Sequence, residues 1–139
     1  MQTTTELLDI LKTKERYEEV AEDPQILFLN ITLAEYLNEL MHFKKLKKSD
    51  IILKSGLERS YAYQIFAGKK IPSRDKLLAL AFGMELAFEE VQRLLKTNSY
   101  AQLYPKNKRD SMIIFALYKK QSLLELNENL LRMDEPVIS

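Results

Sequence analysis

Arg59, Ser60, Tyr63 and Gln64 sit within six residues, and each carries donors or acceptors suited to the edges of bases in a DNA groove. Arg can bind guanine through two hydrogen bonds and Gln can do the same with adenine. Ser60 can donate or accept, and Tyr63 can reach a base or a phosphate. Their spacing matters as much as their type. At about 100° per residue, Ala62, Ile65 and Phe66 share one arc of a helix over Arg59–Ala67, and Arg59, Ser60, Tyr63, Gln64 and Ala67 share the opposite arc. Tyr61 lies on the flank. One face is therefore apolar and must be buried, and the other is chemically equipped. Lys69 and Lys70 follow Gly68, where a turn can bring them to backbone phosphates.

These side chains need elements to hold them. Gly68 reads as a left-handed stop for the second helix. A shorter helix, Lys48–Lys54, precedes it, with the break at Gly56. Two short helices joined at a glycine have the form of a helix-turn-helix, whose second helix can enter the major groove. Charge is distributed to match. Residues 43–76 hold ten lysines and arginines against three acids, an excess of seven, in a chain whose net charge is +1. Residues 1–42 hold three bases against nine acids, and the remainder is balanced. Two readings of the basic block stand: a phosphate-binding surface or a solvated lysine-rich one.

Lys48, Ile51, Gly56, Leu57, Ser60, Ile65, Phe66, Gly68, Pro72, Leu77 and Leu78 carry a resemblance. With the run GxxxxYxxxIFAGKKxPSxDKLLALA, they make residues 32–96 resemble the phage repressor and Cro family of helix-turn-helix domains. The resemblance implies an all-α fold: a five-helix lambda-repressor-like DNA-binding domain that binds double-stranded operator DNA as a homodimer. It implies that Lys48 and Ser49 meet phosphates at the start of the domain's second helix, and that Arg59, Ser60, Tyr63 and Gln64 read bases. With Tyr61, Lys69 and Lys70, these are the candidate DNA-binding residues. Three positions depart from the family pattern. Ile52 stands where a small residue usually lets the two helices approach. Ser55 stands where an apolar residue is usual. Ala87 stands in place of a Ser N-cap, a change typically worth ~1 kcal/mol.

The chain divides into an acidic N-terminal helix and connector at 1–30, the domain at 31–97 and a C-terminal helical hairpin at 98–139. Thr5–Ala21 reads as an amphipathic helix that either packs on a neighbour or covers the basic face when DNA is absent. Gln25–Asn30 is an apolar connector. Thr32–Phe43 opens the domain with a capping box from Thr32 to Glu35 and an apolar stripe of Leu33, Tyr36, Leu37, Leu40 and Met41. Arg74–Phe82 follows an N-cap at Ser73 and stops at Gly83. Ala87–Lys96 turns Phe88, Val91, Leu94 and Leu95 inward. Asn98–Pro105 is a turn-rich link. Asn107–Tyr118 and Ser122–Met133 form the last pair, with Met112, Ile113, Phe115, Ala116 and Leu117, then Leu123, Leu126 and Leu130, as apolar positions. Residues 134–139 are expected to fray.

A repeat runs through the second half at an offset of 35. Arg74–Asp75 matches Arg109–Asp110, Ala81 matches Ala116, Glu90 matches Glu125 and Leu95 matches Leu130. Apolar positions agree as well. The offset predicts a second hairpin resembling the first, stacked as repeats stack; any two amphipathic helices also share such a pattern.

Composition excludes other classes. With 46% hydrophobic residues, three glycines and four prolines in 139 residues, the chain favours helices and has ample material for a core. No cysteine is present, so disulfides, thiolate metal sites and thiol nucleophiles are excluded. No apolar run approaches the ~20 residues of a membrane helix, and the acidic, polar start does not read as a leader, so a cytoplasmic protein is expected. His42 alone makes no metal site. No phosphate-cradling glycine loop or nucleophile–base pair appears, so catalytic residues and cofactors are not expected. Two functions remain: a sequence-specific DNA-binding regulator, or an interaction module that keeps the fold and binds a protein through the N-terminal helix or the C-terminal hairpin.

Overall fold

Seven helices in the described residues follow from alternating apolar stripes and caps. The computed structural model describes Leu8 and residues 31–139. The expected helix Thr5–Ala21 and the connector Gln25–Asn30 therefore lie outside the described residues, Leu8 apart. The helices are α1 (Leu33–Phe43), α2 (Lys48–Ser55), α3 (Arg59–Phe66), α4 (Arg74–Gly83), α5 (Phe88–Thr97), α6 (Lys108–Tyr118) and α7 (Leu123–Arg132). No strand occurs among the described residues, and none of their helices is long and apolar enough to cross a membrane. Thr32–Ser139 forms one compact unit.

The caps sit where residue types require them. Thr32 Oγ1 accepts from the Glu35 amide, Ser73 Oγ from Lys76, Asn107 Oδ1 from Asp110 and Ser122 Oγ from Glu125. Ala87 has no oxygen to offer α5. Glu90 supplies the reciprocal half of a capping box, accepting from the Ala87 amide at 2.8 Å.

Helix α4 is the centre of the unit. Leu77 through Gly83 are all buried, because α2 covers one side of the helix while α5 and α7 cover others. Gly83 belongs to this packing and is not the stop expected of it. It is the last helical residue, and a Cβ there would run into the Ile51 carbonyl oxygen of α2 and lie 3.2 Å from the Ser55 amide. The residue that turns the chain is Glu85, at φ +55°. The same turn recurs at Lys45 between α1 and α2 and at Lys120 between α6 and α7, at φ +56° and +55°. In each turn an amide closes back on the helix: Leu46 on Met41, Leu86 on Ala81 and Gln121 on Ala116.

The offset of 35 is a structural repeat in detail. Gln92 exchanges two hydrogen bonds with the Leu103 backbone, and Asn127 does the same with Ile138. Arg74 donates to the Ala101 and Gln102 carbonyls, and Arg109 to those of Pro136 and Val137. Each pair of partners is 35 residues from the other. The C-terminal segment is therefore held rather than frayed: Ile138 is buried, because Asn127 and Arg109 satisfy the backbone around it.

The two hairpins, α4–α5 and α6–α7, do not stack by translation. Arg74 pairs with Asp110 through two bonds of 3.2 and 3.0 Å, and Arg109 pairs with Asp75 through two of 3.0 and 2.9 Å. Helix α4 packs on α7, and α5 packs on α6. When residue i of one copy meets j of the other, and j meets i, the relation is two-fold. The hairpins are thus joined as two halves of a dimer would be, inside one chain. Phe88 of α5 and Tyr118 of α6 add an aromatic contact at 5.2 Å. Phe115, one of the apolar positions of α6, is 55% exposed because α6 turns its Ile113, Ala116 and Leu117 face inward.

Candidate nucleic-acid interface

Helix α3 is fixed from beneath and from both ends. Ala62, Ile65 and Phe66 are buried, as their shared arc predicts. At the N-terminus, Glu58 accepts from the Ser60 amide at 2.9 Å and the Tyr61 amide at 2.8 Å. Its carboxylate satisfies two of the first unpaired N–H groups and faces the positive end of the helix. At the C-terminus, Asn38 of α1 donates to the Phe66 carbonyl at 2.9 Å while also bonding the Ala34 carbonyl. The chain then turns at Gly68, φ +78°, and the Lys69 and Lys70 amides both close on the Gln64 carbonyl.

This frame sets the candidate side chains. Arg59, Ser60 and Tyr63 are exposed on the outer face, and Gln64 is half-buried beside them. The Arg59 guanidinium lies over the Tyr63 ring at 5.6 Å, so these two form one surface. Tyr61 is half-buried on the flank, with the Lys76 ammonium over its ring at 5.4 Å. Lys69 and Lys70 are exposed just beyond the end of α3. Lys48 is half-buried with its ammonium over the Phe66 ring at 5.3 Å, and Ser49 is exposed beside it. Helix α2 has no side-chain cap at Lys47, which leaves its first amides open.

The turn between α2 and α3 is well satisfied. Gly56 takes φ +69° with open space around it, so the backbone angle alone demands glycine there. Ser55 is buried, donates to the Ile52 carbonyl at 2.7 Å and accepts from the Leu57 amide. A polar residue at an apolar position is thereby paired. Ile52 is buried, and a close backbone approach to α2 is made by Gly83 beside Ile51.

The basic block is partly neutralised. Lys44 pairs with Glu90 at 2.9 Å, Lys54 with Glu85 at 2.8 Å and Arg74 with Asp110. Among the described residues, Lys45, Lys47, Lys48, Arg59, Lys69, Lys70 and Lys76 make no ion pair, and they surround α3 and the start of α2. The partners of the three paired cations lie 31 or more residues away in the chain, so local charge counting misses them. Asn38 and Glu58 were also missed as supports of α3. Asn38 shows only as a polar residue beside the apolar stripe of α1, and Glu58 is not among the common N-cap types. His42 is exposed, and no cluster of three acidic or histidine side chains suited to a metal occurs among the described residues.

A scan against protein-family models, a search of curated proteins and a search of solved structures each find no match to this chain.

Proposed function

We propose that this protein is a sequence-specific binder of double-stranded DNA that places α3 in the major groove and acts as a homodimer regulating transcription. The observation that carries the reading is the face of α3. Its apolar side is fully buried, while Arg59, Ser60 and Tyr63 stand exposed, with Lys69 and Lys70 just beyond its C-terminal end. The resemblance of residues 32–96 to the phage repressor and Cro family supports the same arrangement, with a five-helix domain built from α1–α5. In this reading Arg59, Ser60, Tyr63 and Gln64 meet bases, with Tyr61 at the edge. Lys48, Ser49, Lys69 and Lys70 meet phosphates. The open amides of α2 suit a phosphate at that position.

A second reading rests on Glu58. Its carboxylate occupies the amides of α3 that a phosphate would otherwise approach, and its charge opposes DNA at that point. An interaction module retaining the fold would tolerate this charge.

Selection of bound sequences from random duplex DNA at two salt concentrations separates the two. The DNA reading expects a palindromic motif whose retention falls with salt. Arg59→Ala is expected to cost about 1–3 kcal/mol at one base position, and Lys69→Ala with Lys70→Ala to weaken all sequences alike and flatten the salt slope. Absence of salt-sensitive retention at low ionic strength gives the protein to the second reading.

A further inference from the structure

An open apolar groove of about 490 Å³ runs between α6 and α7, lined by Met112, Phe115, Leu126 and Met133 with Asn129 and Arg132 at its side. Phe115 and Met133 are half or more exposed. The internal repeat says what such a face is for. Stepping 35 residues back converts Met112, Phe115, Leu126 and Asn129 into Leu77, Leu80, Val91 and Leu94, all fully buried. In the first hairpin this face is a seat for helices. Gly83 meets the backbone of α2, the Tyr36 hydroxyl of α1 lies beside the Thr97 side chain, and Lys44 at the end of α1 pairs with Glu90. The second hairpin repeats the seat, and no described residue fills it as α1 and α2 fill the first.

The second seat gains basic residues at three places, while Glu125 keeps the acid of Glu90 and Glu128 stands in place of Arg93. Where the first hairpin has Met84, Glu85 and Thr97, the second has Lys119, Lys120 and Arg132. Glu85 holds Lys54 of α2, so a helix lying in the second groove in the same manner meets Lys120 at that place and needs an acid there. Lys119 lies over the Phe115 ring at 5.7 Å, on the groove's edge. Tyr118 replaces Gly83, so the guest rests on side chains and cannot approach backbone to backbone as α2 does.

We propose that the α6–α7 groove docks an amphipathic helix of a partner protein, one whose apolar stripe is flanked by acidic residues placed to meet Lys119, Lys120 and Arg132. The site is separate from the outer face of α3, and the proposal stands whether or not the protein reads DNA.

The test uses the full chain and three labelled, helix-stabilised peptides followed by fluorescence anisotropy. One has leucines at i, i+3, i+4, i+7 and i+11 with glutamates on both flanks. A second replaces the glutamates by lysines, and a third replaces the leucines by serines. The acidic leucine peptide is expected to bind at least tenfold tighter than either control. Phe115→Asp, at an exposed position, is expected to weaken it at least tenfold while circular dichroism stays unchanged. Joint reversal of Lys119, Lys120 and Arg132 to glutamate is expected to make the lysine peptide the better ligand. Equal binding of the three peptides, no binding, or indifference to both Phe115→Asp and the charge reversal overturns the proposal. Met133→Asp, on the opposite groove wall, repeats the test should Phe115→Asp fail to fold.

Discussion

Single residues decide this structure where backbone comes closest to backbone. Gly83 and Gly56 are both glycines in the domain's second and fourth helices or their ends, but for different reasons. Gly56 answers a positive φ in open space, so Gly56→Ala is expected to cost about 1–2 kcal/mol of backbone strain. Gly83 has ordinary helical geometry and no room, and forcing a methyl against the Ile51 carbonyl costs overpacking energy of about 1–3 kcal/mol or more, with α2 displaced. Urea denaturation, with the Ile51 and Ser55 amide resonances as reporters, distinguishes them: Gly83→Ala shifts α2 and Gly56→Ala does not. Two tyrosines give a pH dependence. Burial raises the Tyr36 phenol above its ordinary value, opposed by Arg93 and the Thr97 side chain. Burial also raises Tyr100, whose hydroxyl donates to the Pro72 carbonyl at 2.6 Å. A raised folded-state pKa gives stability that is complete below the unfolded value of about 10 and lost as pH climbs through the folded one. The protein is therefore expected to lose stability above pH ~10, and Tyr36→Phe with Tyr100→Phe to flatten that decline relative to wild type in urea melts.

At the scale of elements, α3 depends on supports outside its own sequence. Glu58→Ala removes the acceptor for two amides and is expected to cost about 1 kcal/mol, whereas Glu58→Ser keeps a cap and loses only the charge. If DNA binding is the activity, Glu58→Ser is also expected to tighten it, because a carboxylate near phosphates is removed; equal affinity of wild type and Glu58→Ser measured at low salt contradicts that placement. The three hairpin turns carry Lys45, Glu85 and Lys120 at positive φ. Each accepts a strained angle without glycine, because the amide of the next residue closes the turn on a carbonyl of the preceding helix.

For the whole molecule, the reciprocal Arg–Asp pairs join both hairpins into one unit. Hydrogen bonding to Asp75 raises the Arg109 guanidinium above its ordinary value against the opposing effect of burial. Both pairs are bidentate and largely shielded, and each arginine also binds two backbone carbonyls. Arg74→Ala and Arg109→Ala are each expected to cost about 2–4 kcal/mol, near the range for breaking a buried pair, and to lower a single unfolding transition rather than split it. Two separate transitions in calorimetry contradict this coupling. A double-mutant cycle of Arg109 with Asp75 is expected to show coupling of about 1–3 kcal/mol.

The sequence by itself determined the seven helices between Leu33 and Arg132, most of their caps, the apolar arc of α3 and the offset of 35, because all of these are set by spacing within one or two turns or by direct comparison of residue types. It placed Arg59, Ser60 and Tyr63 on one face for the same reason. It erred on Gly83 and on residues 134–139. The first is decided by the approach of α2, and the second by Asn127 and Arg109 far back in the chain. Tertiary structure alone decided that Arg74 takes Asp110 while Arg109 takes Asp75, and so that the repeat is two-fold and not stacked. No local pattern carries that choice, since each arginine precedes an aspartate of its own and only the docking of one hairpin on the other selects the partner.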